Sequence, residues 1–327
     1  MAILVEPGKI LRDRYIIREI IGRGGMGSIF LAEDNRLPGR LCAVKQITHD
    51  QDLPDTIREQ TKEQFYREAS VLARLDHPNL PKVSDFFSAP DSDYLVMDFV
   101  PGDDLKTLMD GARRKGEFLD QEEVLEWATQ LADALAYLHG QDPPVIHRDI
   151  KPSNMRITPN RLLKLVDFGL VKQMVPDEMT ITIIQGRGTA LYTPLEQYGG
   201  DAGHTDPRSD IYAFGATLYH LLTNQPPIEA KQRFLNPYAL RPLQEFNPDV
   251  DPQVESAILW AMSLHPDERP QEITSFSESL LGDQPIPSTV HQQPFNAKQI
   301  FNISTPDKVL IGIASLLLLL AVIGTIL

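Results

Sequence analysis

Val145–Asn154 reads Val-Ile-His-Arg-Asp-Ile-Lys-Pro-Ser-Asn. An acid, two bases, a short amide and a turn-setting proline share one tight stretch. Asp149 and Asn154 stand five apart with Lys151 between them, and Pro152 forbids a regular helix there. A loop of this composition can hold a carboxylate for a hydroxyl proton, an ammonium for a phosphate and an amide for a metal ion. Taken alone it also fits a surface turn with scattered charge, and the neighbouring stretches decide between the two.

The chain has 327 residues, 42% hydrophobic and 23% charged, enough for a sizeable core divided into about two lobes. A formal net charge of −14 argues against nucleic acid as the main partner, because no basic field gathers a polyanion. The single cysteine, Cys42, excludes an intrachain disulfide framework and fits a reducing compartment. The apolar start Met1–Val5 is cut short by Glu6, Pro7 and Gly8, so no signal peptide is expected. Val309–Leu327 is different in kind: nineteen residues without a charge. At about 1.5 Å per residue they span roughly 28 Å, the thickness of a bilayer's hydrocarbon core. With Lys298 and Lys308 before it, this reads as a single-pass membrane anchor leaving the body of the protein cytoplasmic. Gly282–Asp307, carrying Pro285, Pro287, Pro294 and Pro306, reads as a flexible tether.

From the N-terminus, Tyr15–Gly22 is predicted as a strand, Gly22–Gly27 (Gly-Arg-Gly-Gly-Met-Gly) as a loop and Ser28–Glu33 as the returning strand. Glycines let backbone N–H groups approach a phosphate chain without side chains intervening. Dinucleotide-binding folds also use such glycines, but there they open a helix; here the apolar Ile29-Phe30-Leu31-Ala32 follows. In the strand Leu41–Ile47, alternation puts Ala43 and Lys45 on one face, toward the glycines, and Cys42 and Val44 on the other. His49–Gln64 is polar and expected as a loop leading into a helix over Phe65–Leu75, whose inner face is Phe65, Ala69, Leu72 and Leu75. Tyr94–Val100 is a buried strand, and Glu122–His139 a long core helix. Met155–Ile157 and Leu162–Val166 form a small hairpin delivering Asp167-Phe168-Gly169, a carboxylate placed to reach a metal on the phosphates. Further helices are expected over Asp206–Leu222, Val254–Leu264 and Ile273–Leu281.

The His-Arg-Asp stretch, the glycine loop, the strand lysine and Asp-Phe-Gly, in this order over about residues 15–281, resemble protein kinases of the serine/threonine type. Ile-Gly-Arg-Gly-Gly-Met-Gly and the ending Pro-Leu-Glu-Gln resemble bacterial membrane-bound members. The resemblance implies an α+β, two-lobed fold: a β-rich N-lobe over about 15–100 and a helical C-lobe over about 101–281. It implies transfer of the ATP γ-phosphate to protein Ser/Thr hydroxyls, with Mg²⁺ (or Mn²⁺ in its place).

Residue by residue, the resemblance makes Asp149 the group that orients the hydroxyl and Lys151 the cation on the γ-phosphate, with Asn154 and Asp167 as metal ligands. Ile21, Gly22, Arg23, Gly24, Gly25, Met26, Gly27, Ile29 and Ala43 would cover the nucleotide. Lys45, set by Glu68 with Glu59 and Glu63 as the fallback candidates, would grip the α/β-phosphates. Met97 would gate the adenine pocket, Asp98–Val100 would meet the base, with Val100 closing the segment, and Asp104 would lie at the ribose. Thr180 and Thr182 are the candidate regulatory phosphosites, with Arg148 as the receiving cation and a homodimer as the arrangement for autophosphorylation in trans. Thr189, Glu196, Arg269 and Asp210 are support: Thr189 toward Asp149 and Lys151, Arg269 as partner of Glu196, and Asp210 accepting backbone N–H groups of the catalytic loop.

Two departures stand out. Pro194 is shifted by one within Thr-Pro-Leu-Glu, and Arg156 occupies a position where most kinases carry leucine under adenine. The stem of Arg156 is expected along the base with its head in solvent or on an acid, so that Arg156→Leu retains ATP binding. The rival readings are a pseudokinase and a tail-anchored nucleotide-binding scaffold.

Overall fold

Alternating apolar strands in the first hundred residues fold into one antiparallel sheet. The computed structural model describes residues 6–24, 27–49, 55–167, 189–198, 205–282 and 284–286. Six strands, β1 (Ile10–Leu11), β2 (Tyr15–Gly24), β3 (Gly27–Asp34), β4 (Leu41–Thr48), β5 (Val83–Ala89) and β6 (Ser92–Asp98), lie in the order β1-β2-β3-β4-β6-β5. Two-residue alternation gives the sheet two different faces. Cys42 and Val44 are buried with Tyr15, Phe30 and Val96 on one side; Ala43 joins the main core on the other. Cys42 is a free, buried thiol, and burial pushes its pKa up, so it behaves as a small apolar residue.

The glycine stretch corrects the expected loop boundaries. Strand β2 continues to Gly24 and β3 resumes at Gly27, with Gly22 opposite Ile29 and Gly24 opposite Gly27. Gly27 has φ +157°, and a Cβ there would stand 1.8 Å from the Gln46 carbonyl oxygen, so only glycine permits this approach of β3 to β4. Gly25 and Met26 lie outside the described residues.

Helix α1 (Asp55–Leu72) is also longer than expected, starting ten residues before Phe65. Phe65, Ala69, Leu72 and Leu75 pack into the core as anticipated. The added turns are mostly polar residues with adequate helix propensity, and Thr56, Glu59, Gln60 and Glu63 are exposed, so polarity there does not mark a loop.

Beyond β6 the chain turns helical: α2 (Leu105–Lys115), α3 (Gln121–His139), α4 (Pro207–Thr223), α5 (Ala230–Leu235), α6 (Pro252–Ala261) and α7 (Ile273–Leu281). Aspartates cap four of them, Asp104, Asp120, Asp206 and Asp251, each accepting a backbone N–H of the first turn. A second, three-stranded sheet lies in this lobe: β7 (Asp103–Asp104), β8 (Met155–Ile157) and β9 (Leu163–Leu165). Helix α4 is the pillar, with every residue from Ser209 to Thr223 buried. Gly215 lets α6 come close, since a Cβ there would be 2.9 Å from the Cβ of Ala261.

Among the described residues no helix is long and apolar enough to cross a membrane. Val309–Leu327, the tether from 287 onward, and Thr180 and Thr182 lie outside the described residues.

Gly215→Ala is expected to lower stability by about 1–3 kcal/mol through overpacking. In contrast, Gly111→Ala in α2, where the nearest atom is a flexible Arg114 nitrogen at 3.9 Å, should raise it by about 0.5–1 kcal/mol through helix propensity. Urea unfolding midpoints of the two variants check this contrast.

Candidate active site

An irregular loop has backbone donors that no ladder satisfies, so its shape depends on partners outside it. In the loop 145–154 the partner is Asp210 in the first turn of α4. Its carboxylate accepts the His147 N–H and the Arg148 N–H, both at 2.8 Å, and lies 3.0 Å from His139 Nε2. Asp210 is fully buried. Burial pushes its pKa up, but the His139 hydrogen bond and the neighbouring histidines outweigh this and hold it below the ordinary value. Val145, Ile146 and Ile150 anchor the loop in the apolar interior, and His147 is buried with its pKa pushed down by desolvation. Arg148 takes φ +66°, a left-handed conformation costing a non-glycine residue on the order of 1–3 kcal/mol.

So held, the loop gathers its polar side chains. Lys151 Nζ donates to both Asp149 carboxylate oxygens, at 3.0 and 2.9 Å, and to Thr189 Oγ1 at 3.1 Å. Asn154 sits in a one-turn 3-10 helix begun by Pro152, and its Nδ2 donates to Asp149 O at 2.8 Å and Oδ2 at 2.9 Å. Thr189 is thus joined directly to Lys151, with the ammonium bridging it to Asp149.

The hairpin β8–β9 follows Asn154 without a break, and Val166 N–H returns to the Asn154 carbonyl at 2.8 Å. That contact sets Asp167 beside the loop, in a left-handed conformation at φ +64°. Its Oδ1 forms an ion pair with Lys45 Nζ, linking the sheet of the small lobe to the large one. Burial raises the Asp167 pKa, but the Lys45 ion pair, with Lys151 beyond it, overrides this and keeps the carboxylate charged at neutral pH. Glu68 is buried on α1 and its charge acts on the Arg148 guanidinium.

Among the residues the resemblance assigns to a nucleotide, Ala43 pairs with Met97 across β4 and β6, and both are buried, as is Val100. Ile29 stands opposite Lys45. Ile21 and Arg23 are exposed on β2. The Asp98 N–H is engaged with the Lys82 carbonyl at 3.0 Å, so Asp98 can offer an incoming base its carbonyl but not its amide. Asp104 caps α2 through Oδ1, accepting from Thr107 N at 2.9 Å.

Arg156 is partly exposed, and its Nη2 donates to the backbone carbonyl of Gly102, which the pairing of Asp104 with Arg156 brings within reach.

The shifted Pro194 leaves the following anchor intact. Leu195–Tyr198 forms a 3-10 turn, and Arg269 grips Glu196 bidentately at 2.7 and 3.0 Å with its side chain fully buried. One contributor was missed in the sequence: His139 closes on Asp210 from 71 residues away, and no local spacing announces such a contact.

Comparison with known proteins agrees with this geometry. The Protein kinase domain family model matches residues 15–286. A probable serine/threonine-protein kinase of Streptomyces coelicolor is 33% identical over 298 residues, covering 87% of this chain and 42% of that protein. Serine/threonine-protein kinase C of Synechocystis is 32% identical over 307 residues, covering 90% and 54% respectively. The chain therefore spans about half the length, or less, of these curated relatives. The crystal structure of the PknI kinase domain of Mycobacterium tuberculosis superposes with a TM-score of 0.66 at 26% identity, covering 86% of this chain and 99% of that one.

The depressed pKa of Asp210 carries a consequence for acid stability. A carboxylate whose folded pKa lies below its unfolded value stabilises the fold above the unfolded value and loses that contribution as pH falls through the folded one. Stability should therefore drop below about pH 4, the unfolded aspartate value. Asp210→Asn should flatten part of that drop while costing about 1–3 kcal/mol at neutral pH through a mismatched buried hydrogen bond. Urea unfolding of both proteins between acid and neutral pH measures this.

Proposed function

The chain belongs to the protein kinase family, and on that premise we propose that it is an ATP-dependent serine/threonine protein kinase. The observation that carries the reading is the cluster of Asp149, Lys151 and Asn154, joined by contacts of 2.8–3.0 Å and held next to the Lys45–Asp167 pair. A surface turn of scattered charge has no reason to be pinned by a buried carboxylate.

In this proposal the hydroxyl oxygen of a Ser or Thr substrate attacks the γ-phosphorus of ATP. The new O–P bond forms as the bond to the β–γ bridging oxygen breaks, ADP departs, and the hydroxyl proton passes to Asp149. Lys151, already against Asp149 and Thr189, stands beside the transferred group. Lys45 on the sheet holds the α/β-phosphates, with Glu68 as its orienting acid. The backbone of β2 and β3 around Gly22, Gly24 and Gly27 covers the phosphates, and the Asp98–Asp104 stretch receives base and ribose. Catalysis here is mostly positioning and charge stabilisation.

The residues fit a magnesium ion. Asp167 supplies a carboxylate held in its charged form, and Asn154 supplies an amide oxygen whose nitrogen is engaged with Asp149. Magnesium takes hard oxygen ligands and commonly uses one or two protein groups together with phosphates and water. When bound, it neutralises charge on the phosphate oxygens. Among the described residues no group of three His, Cys, Asp or Glu side chains forms a metal site of its own.

The proposal extends to autophosphorylation on Thr180 or Thr182, with Arg148 receiving the phosphate, in trans within a homodimer. It also extends to tethering: the charge-free Val309–Leu327 is read as a single membrane span, with the catalytic lobes cytoplasmic.

The test is label transfer from γ-labelled ATP, with Mg²⁺, to a generic protein substrate and to the chain itself. Asp149→Asn should reduce transfer by about 10²–10⁴-fold, the usual contribution of a general base. Equal transfer by the variant would overturn the mechanism. Nucleotide binding without transfer by the natural sequence would favour a scaffold.

A further inference from the structure

In the hairpin β8–β9, Arg156 stands directly opposite Lys164. Two like charges on one face of an antiparallel pair repel, and the arrangement is ordinarily unfavourable. Here the two side chains diverge to different acceptors. Arg156 Nη2 donates to the Gly102 carbonyl, and Lys164 Nζ donates to the Leu80 carbonyl at 3.0 Å. Burial pushes the Lys164 pKa down, and the Asp98 carboxylate opposes that shift.

The two carbonyls belong to two stretches at the boundary between the lobes. Gly102 lies between β6 and α2, the covalent link. Its φ is +106°, and a Cβ would stand 1.9 Å from the Ile157 carbonyl oxygen, so the link is pressed directly onto β8. Leu80 lies between α1 and β5, in a stretch laid on the large lobe. There the Asp76 N–H donates to Tyr137 Oη at 2.9 Å, and Asn79 Nδ2 donates to the Leu163 carbonyl at 2.8 Å. The two stretches are also bonded to each other, Asp98 N–H to the Lys82 carbonyl. Contacts and chain thus close a ring: Leu80, Lys82, Asp98, Gly102, Arg156, Lys164 and back to Leu80.

We propose that Arg156 and Lys164 act as one clamp on the lobe joint, holding its two strands of chain at the spacing that receives a nucleotide. The proposal rests on the kinase reading of the site. Both are positioning residues, acting through the Gly102 and Leu80 carbonyls. Asp98, Val100 and Asp104, assigned to base and ribose, are carried on the clamped stretch. Loosening it makes binding bear the ordering of that stretch, a loss felt in nucleotide affinity before the chemical step. The repulsion between the two cations is tolerated because each is held by its own acceptor. The expectation that Arg156→Leu leaves ATP binding intact is accordingly replaced.

The experiment compares the natural chain with Arg156→Leu, Lys164→Met, the double variant and Arg156→Lys. Binding of a non-hydrolysable ATP analogue with Mg²⁺, ATP KM, kcat and thermal unfolding without nucleotide are measured. Each single loss should raise KM and the analogue Kd by about threefold to tenfold, with a smaller change in kcat and little change in unfolding temperature. The double variant should fall short of the product of the singles, the mark of one coupled device, and Arg156→Lys should recover part of the affinity. Analogue affinity in the double variant equal to that of the natural chain overturns the clamp alone. So does a parallel fall of affinity, kcat and unfolding temperature, which marks a merely structural role. No binding by the natural chain overturns the kinase reading, and the clamp with it.

Discussion

A single buried carboxylate, Asp210, fixes the loop on which the chemistry depends. Taking a charge out of water is costly, and it persists here because two backbone N–H groups and the His139 ring converge on it. The exchange is mutual. The loop's donors, which no helix or strand could satisfy, find their acceptor, and the strained Arg148 backbone is held in place. Helix α4 makes this possible by being buried from Ser209 to Thr223, so that Asp210 enters the loop from a rigid element.

From that anchor the site is assembled by short steps along the chain. Asn154 turns back to Asp149, Val166 turns back to Asn154, and Asp167 thereby arrives opposite Lys45. Each carboxylate has its own ammonium, Lys151 on Asp149 and Lys45 on Asp167, and the Lys45 pair holds the desolvated Asp167 in its charged form. The Lys45–Asp167 pair is also the point where the small lobe's sheet meets the large lobe's loop, so the relation of the lobes and the electrostatics of the cleft are set together. A second set of contacts, on the far side of β8 and β9, addresses the lobe joint through backbone carbonyls. The hairpin that delivers Asp167 therefore also contacts the link between the lobes.

Much of this was legible in the sequence wherever a short period or a dense local motif carried the signal. Alternation in Leu41–Ile47 correctly separated Ala43 and Lys45 from Cys42 and Val44, because strand geometry admits only two faces. Ile273–Leu281 was read at its observed limits, ending at a glycine with φ +86°. The start of α1 was not legible, since its exposed turns show no apolar period. The length of β2 and β3 was hidden because glycines read as loop, although here they continue the ladder where another backbone comes too close for a side chain. Contacts between distant elements left no trace either: nothing near His139 points to Asp210, and nothing near Arg156 points to the carbonyl of Gly102. Those pairings follow from the fold and cannot be read before it.

The most direct test of the account is a crystal structure of the chain with Mg²⁺ and a non-hydrolysable ATP analogue. The metal is expected on Asp167 and the Asn154 amide oxygen, with the terminal phosphate within hydrogen-bonding reach of Lys151 and the β2–β3 backbone over the phosphates. A nucleotide bound without contact to Lys45, Lys151 or Asp167, or a metal held by other residues, would contradict it.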